Sequence, residues 1–274
     1  MKKIKFSCLM SVYKNDTPEN VKVAVDSILN QTLQPNQFVI MVDGKIPSEL
    51  EVMLDKMCEE NSIIELHKRD KNLGLGLTLN EGIKYCKYDY IARMDSDDFS
   101  YPYRFEEEIK YLSTHPEVDI VGSAIEEYDE SLNTKLAERK VPERDADIKQ
   151  YMKKRNGMNH VTVIYKKQSV LDVGSYENYM YFEDYFLWCK MISNNCQFYN
   201  IQKPLMKIRA GDDMAKRRGG LYYSKCIINF EKKIKEMGII NTYTYIYNLA
   251  IRLLVANIPN GLRSLLYKKK LRGK

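Results

Sequence analysis

The sequence predicts an α/β protein built on a doubly wound, mostly parallel sheet with a helical C-terminal extension. Three observations carry this expectation. Through the first half, apolar runs of strand character alternate with segments of helical periodicity, the pattern of strand, helix, strand units whose crossovers leave neighbouring strands parallel. One run, Tyr90-Ile91-Ala92-Arg93-Met94, ends abruptly in Asp95-Ser96-Asp97-Asp98, and open sheets of this kind bind ligands at the carboxyl ends of their strands. Beyond about Tyr128 the alternation weakens, and the chain closes in a helical, basic segment.

Taken in order, Ile4 to Val12 reads as the first strand, because it is too short for a signal peptide and lacks a small-residue cleavage pattern; this points to a cytoplasmic protein. Thr17 is placed to cap a helix with Pro18 at its first position, and Val21, Val25, Ile28 and Leu29 share one face of it. Gln37 to Val42 is the second strand, Pro47-Ser48-Glu49 opens the next helix, and Ile63 to His67 is the third strand. The turn Asn72-Leu73-Gly74 leads into a helix over Leu75 to Tyr85, before the strand Tyr90 to Met94, a helix after Pro102 and a strand over Asp119 to Ile125. Further on, the pattern predicts a helix near Asp145 to Arg155, a strand at Val161 to Tyr165 and a helix from Asp184 to Asn194. A long helical pattern from Asp212 to about Met237 leads into the tail, so a catalytic domain is expected over 1–218 and an extension over 219–274.

At 274 residues the chain can bury a substantial core. Its formal charge of +6 is unevenly placed: no acidic residue follows Glu236, whereas Arg252, Arg263, Lys268, Lys269, Lys270, Arg272 and Lys274 are all basic. The excess belongs to a tail interleaved with aliphatic residues instead of a folded basic face, which argues against nucleic acid as a partner. Tyr245, Ile246, Leu249, Leu253 and Leu254 recur there at helical spacings, and Leu262, Leu265 and Leu266 resume after Pro259-Asn260-Gly261. Such a segment suits an anionic membrane surface on its cytoplasmic side, the inner face, with packing back on the domain or across a dimer as the alternative. No window holds about 20 uninterrupted apolar residues, so no transmembrane helix is expected. Six cysteines at 8, 58, 86, 189, 196 and 226 form no CxxC pair and read as reduced structural thiols.

Asp95 and Asp97 are the strongest site candidates. Alternate side chains of an extended segment share a face, so these two project together, away from Ser96 and Asp98. Two carboxylates so placed suit Mg²⁺ or Mn²⁺ with coordination positions left for a diphosphate; the competing reading is an acidic turn. Asp43, at the end of the second strand, is placed to accept from a base or ribose or simply to form an Asp-Gly turn. Glu183 and Asp184 are hemmed by Tyr181, Phe182, Tyr185 and Phe186, which suits a carboxylate to act as a base, although a helix start also favours acidic residues. Among the histidines 67, 115 and 160, none with metal-ligand spacing, only His160 is placed to face a site. Arg209 and Arg217, with Lys207, Lys216 and Arg218, form a basic cluster able to clamp phosphate oxygens of donor or acceptor, or to lie solvated.

Taken together, these blocks resemble the family 2 glycosyltransferases of the GT-A fold, Rossmann-like enzymes, and most closely those that assemble bacterial surface polysaccharides. The resemblance spans roughly Phe6 to Arg218 and rests on order: Ser11-Val12-Tyr13, Asp43, Asn72-Leu73-Gly74 with Leu79-Asn80-Glu81-Gly82-Ile83, Arg93-Met94-Asp95-Ser96-Asp97-Asp98, Pro102 and Arg104, His115 to Gly122, and Glu183-Asp184 with Leu187-Trp188. It implies a nucleotide-sugar donor, UDP-linked, contacting Tyr13, Asp43, Asn72, Arg93 and Asp95. It further implies a metal on Asp97, Asp184 as base beside Glu183, inversion at the anomeric carbon, and a saccharide or lipid-linked saccharide acceptor. No QxxRW element is present, which fits transfer of a single sugar. The competing functions are a sugar-nucleotide pyrophosphorylase, whose glycine-rich basic loop is missing after the first strand, and a non-catalytic nucleotide-sugar-binding module.

Overall fold

The computed structural model describes residues 4–210, 218–259 and 261–263. Its first half follows the predicted alternation. β1 (Phe6–Val12), β2 (Gln37–Val42), β3 (Ile64–Lys68) and β4 (Tyr90–Asp95) lie parallel in the spatial order β3-β2-β1-β4, joined by α1 (Pro18–Leu29), α2 (Ser48–Glu60) and α3 (Leu75–Tyr85). The Thr17 hydroxyl accepts from the Asn20 N–H at 3.3 Å, capping α1 with Pro18 at its first position.

Past β4 the sheet continues through β8 (Ile164–Lys166), which is antiparallel to both its neighbours, then β6 (Ile120–Tyr128) and β9 (Phe198–Arg209), parallel to each other, and ends at β5 (Phe99–Ser100). β7 (Lys135–Arg139) folds back on β6 as a hairpin. Since β1, β2, β3, β4, β6 and β9 all run one way, the sheet is mostly parallel, as expected. Strand alternation sends Cys8, Met10, Phe38 and Ile40 to one face, under α1, α2 and α4 (Arg104–Thr114), and Leu9, Val39, Met41 and Ile91 to the other. The second face is covered by α3 and α7 (Glu183–Ser193), with Trp188 fully buried. Short helices α5 (Asp145–Tyr151) and α6 (Lys167–Asp172) complete the second half.

Two expected elements differ at their edges. The strand expected from Val161 begins at Ile164, because His160–Thr162 close a 3₁₀ turn in which the Thr162 hydroxyl donates to the Asn159 carbonyl at 2.8 Å and accepts from the Ser123 N–H at 2.9 Å. The helix expected to reach Arg155 stops at Tyr151, and Asn156 beyond it turns toward α7.

The helix expected from Asp212 is described as α8 (Gly220–Glu236), followed by α9 (Thr242–Asn257). Both join the main core: Ile227, Phe230, Ile234, Ile240 and Ala256 pack in the cluster that holds Leu9 and Trp188, and Phe230 stacks on Phe182 at 4.5 Å. Between the helices Glu231 is fully buried, paired with Arg252 at 2.9 Å and accepting from Asn248 at 3.0 Å. The tail residues expected to meet a membrane therefore divide. Tyr245, Leu249 and Leu253 face the core, while Ile246 and Leu254 stay exposed together with Tyr243, Tyr247 and Ile251.

Candidate active site

The carboxyl ends of the parallel strands converge as the sequence predicts. Ser11 pairs with Asp95 and Val12 with Val42, so Tyr13, Asp43 and Asp95 emerge along one sheet edge. Asp43 is buried, and its two oxygens accept from the backbone N–H groups of Leu73, at 3.0 Å, and Gly74, at 2.9 Å. The Asn72 amide donates back to the Asp43 carbonyl at 3.0 Å. Gly44, at a φ of +83°, is required here, since a Cβ would lie 2.6 Å from the Asn72 nitrogen. Asp43 thus braces the Asn72 loop against the end of β2.

Arg93 is almost wholly buried beneath the site, its guanidinium donating to the Leu9 carbonyl at 3.1 Å and to Asp95 Oδ1 at 2.5 Å. It holds the half-exposed Asp95 carboxylate in place. The extended segment expected here stops at Asp95: Ser96 and Asp97 form a turn, in which Asp97 is exposed while Ser96, and Asp98 after it, are buried. Asp98 accepts from the Arg209 N–H at 3.0 Å, and burial, with the charges of Asp97 and Asp95, pushes its carboxyl well above the usual range. Asp16 escaped the sequence analysis. Its Oδ2 accepts from the Tyr13 N–H and the Ser96 hydroxyl, each at 2.9 Å, and burial, with Asp97 and Asp95 adding, pushes it up to about 6. Arg209 donates to the carbonyls of Asp97 and, at 2.8 Å, Glu130, which ties the end of β9 to the acidic turn. Arg217 and Lys216 lie outside the described residues; Arg218 is half-exposed.

Glu183 and Asp184 open α7, beside the first turn of α3. Asp184 Oδ2 accepts from the Asn156 amide at 2.6 Å, and that amide is oriented because its Oδ1 accepts from the Met158 N–H at 3.1 Å. Burial pushes Glu183 up to about 7, the Asp184 charge adding to it. Gly76, on α3, permits the approach of this segment: a Cβ there would meet the Glu177 carbonyl at 2.4 Å and Glu183 Cγ at 3.1 Å. His160, half-buried, shares a hydrogen bond with the Tyr176 hydroxyl at 2.8 Å. Burial, with Arg93 next, lowers its pKa, while the charges of Asp184 and Asp95 both act on it in the other direction. Asp95 and Asp184 thus both lie within electrostatic reach of His160, and Glu183 adjoins Asp184 at the start of α7.

No three acidic, histidine or cysteine side chains among the described residues form a ready-made metal cage. The donor set nonetheless fits a divalent cation shared with a ligand. Asp95 and Asp97 are hard oxygen donors at the exposed rim, and their charges add to the effect of burial in raising the carboxyls of Asp98 and Asp16.

Residues 7–180 match the model of glycosyl transferase family 2. The chain belongs to that family. It is accordingly a glycosyltransferase. It is 34% identical over 271 residues to the amylovoran biosynthesis glycosyltransferase AmsE of Erwinia amylovora, covering 98% of this chain and 100% of the relative. It is 35% identical over 268 residues to the UDP-Gal:alpha-D-GlcNAc-diphosphoundecaprenol beta-1,3-galactosyltransferase of Escherichia coli, covering 98% and 97%. Among solved structures, S. aureus TarS 1-349 in complex with UDP-GlcNAc superposes with a TM-score of 0.66 at 15% identity, over 91% of this chain and 72% of that one. The mannosyltransferase PcManGT of Pyrobaculum calidifontis, in complex with GDP-Man and Mn²⁺, gives 0.63 at 12%, over 95% and 72%. The fold is the GT-A fold that the motif order implied.

Proposed function

We propose that this family 2 enzyme moves one sugar from a UDP-sugar to a hydroxyl of a lipid-linked saccharide during assembly of a surface polysaccharide, with inversion at the anomeric carbon. The Asp184 carboxylate at the start of α7, held by the oriented Asn156 amide and acting with Asp95 on His160, carries this reading. The names of the Erwinia and Escherichia relatives support the pathway and the acceptor class. Tyr13, Asp43 with the Asn72 loop it braces, and Asp95 fixed by Arg93 receive the nucleoside. A divalent cation, Mn²⁺ or Mg²⁺, held by Asp97 with Asp95 beside it, would neutralise charge on the departing diphosphate. Asp184 takes the proton of the acceptor hydroxyl as that oxygen bonds to the anomeric carbon; the bond to the nucleoside diphosphate breaks on the opposite face, and one displacement inverts the centre.

No helix of the described residues is long and apolar enough to cross a membrane. A peripheral station on the inner face is supported by the exposed stripe of Tyr243, Ile246, Tyr247, Ile251 and Leu254 on α9, followed by the acid-free basic tail.

The test is a screen of nucleotide sugars against alkyl glycosyl diphosphate acceptors with Mn²⁺, reading the anomeric configuration of the product by NMR. Asp184→Asn is expected to bind donor normally and to transfer at least ~100-fold more slowly. Near wild-type turnover in that variant, or retention of configuration, defeats the reading.

A further inference from the structure

Arg139 lies outside every motif of the sequence. It closes β7 opposite Ile125 of β6, and its guanidinium reaches the neighbouring loop, where Nη2 donates to the Asn156 carbonyl at 3.4 Å. Because the Asn156 side chain holds Asp184, one asparagine separates this guanidinium from the carboxylate assigned as base. No carboxylate among the described residues forms an ion pair with Arg139, in contrast to Lys135 and Lys140 of the same hairpin. Burial works against its charge; Tyr151 offsets part of this, and the like charge of Arg218 opposes it again, with Glu127 and Asp184 in its favour. A guanidinium cannot shed its proton to relieve such a position. Arg139, held by a single long contact with a neutral carbonyl, keeps further guanidinium donors suited to phosphate oxygens.

We propose that Arg139 seats the anomeric phosphate of the acceptor, a hexose carried on a diphosphate. This rests on the reading of Asp184 as the base. On such a sugar the hydroxyls at C3 and C4 lie across the ring from the phosphate at C1. With one of them at Asp184, the phosphate falls a ring's breadth away, comparable to the asparagine that separates Asp184 from Arg139. The donor diphosphate belongs elsewhere, at the Asp95 and Asp97 rim, so Arg139 discriminates acceptors and not donors.

Binding of two acceptor probes to the full chain, in the presence of UDP and Mn²⁺, tests the assignment: an alkyl N-acetylglucosaminyl diphosphate and the neutral alkyl glycoside of the same sugar. The wild type is expected to hold the diphosphate at least ~10-fold more tightly, as charge-assisted hydrogen bonds do. Arg139→Met brings that ratio to near unity while the affinity for UDP stays within about twofold, and Arg139→Lys restores part of it. A wild type that does not discriminate, a ratio that survives in Arg139→Met, or an equal loss of both probes overturns the proposal. Since binding needs no proton transfer, a failure of the Asp184 assignment shows separately, as retained turnover in Asp184→Asn.

Discussion

Asp184 is a surface carboxylate made specific by its neighbour. The Asn156 amide cannot flip without losing the Met158 N–H, so it donates to one oxygen of Asp184 and fixes the carboxylate. Asn156→Ala is expected to lower kcat about tenfold with the donor KM unchanged, the split that marks lost positioning at the reacting end. Asp97→Asn, by contrast, should abolish metal-dependent donor binding, read by titrating UDP-sugar with and without Mn²⁺. Glu183 carries a different consequence. Folded, it keeps its proton up to about pH 7, whereas unfolded it loses it near 4.5. Between these values the folded state binds more protons, so the Glu183 contribution to stability is present below pH 4.5 and disappears as pH rises through 7, by up to ~3 kcal/mol. Glu183→Gln removes this slope: melting at pH 5 and pH 8 should show a smaller loss for the variant than for wild type. Asp95, Asp97, Glu183 and Asp184 were legible in the sequence because each stands in a short motif at an element boundary. Asp16, Asn156 and Arg139 were not, since their roles come from contacts such as that between Ser96 and Asp16, 80 residues apart, which no local pattern records.

At the scale of elements, the same contrast holds for the strands. β1, β2 and β4 are buried on both faces and read as continuous apolar runs, the usual signature of parallel strands. β5 spans only Phe99–Ser100, β7 is a partly exposed hairpin arm, and β9 carries Gln202-Lys203-Pro204 in its middle, where its pairing with β6 shifts register. None of the three shows a strand period. The helix after Pro102 was visible, but not the reason it is fixed. Arg104 is fully buried, donating to the Arg93 carbonyl at 2.8 Å and to Glu108 at 3.1 Å, and so anchors α4 under the strand that carries the acidic run. Burial raises the Glu108 carboxyl against the pull of Arg104. Arg104→Met leaves that group without its partner and is expected to cost about 3 kcal/mol in urea unfolding, whereas the double change Arg104→Met with Glu108→Leu should recover most of the loss. Equal destabilisation by both would show that the anchor acts through the Arg93 carbonyl alone.

For the whole molecule, the decisive question is what the C-terminal helices do, and they serve two surfaces at once. Inward, Asn248 and Arg252 of α9 donate to the carbonyls of Lys153 and Lys154, each at 2.9 Å, bracing the loop that carries Asn156, while both partner the buried Glu231. Cutting the chain after Gly238 would strand that carboxylate in the core and release the loop, so truncation is expected to destabilise the protein and cannot isolate a membrane role. Outward, Tyr243, Ile246 and Leu254 are 79%, 61% and 64% exposed, enough apolar surface to lie among lipid headgroups, and the basic residues that follow in the sequence, Lys268 to Lys274, lie outside the described residues and would add about 1 kcal/mol per charge near an anionic surface. Substitution on this outer face separates the two functions. Ile246→Ser with Leu254→Ser should leave the melting temperature within about 2 °C, because neither side chain packs on the core, and should leave hydrolysis of the donor intact. The same protein should sediment with anionic liposomes several-fold less than wild type at low salt. Unchanged sedimentation, or wild-type protein that ignores such liposomes, would assign α9 to bracing the catalytic loop alone.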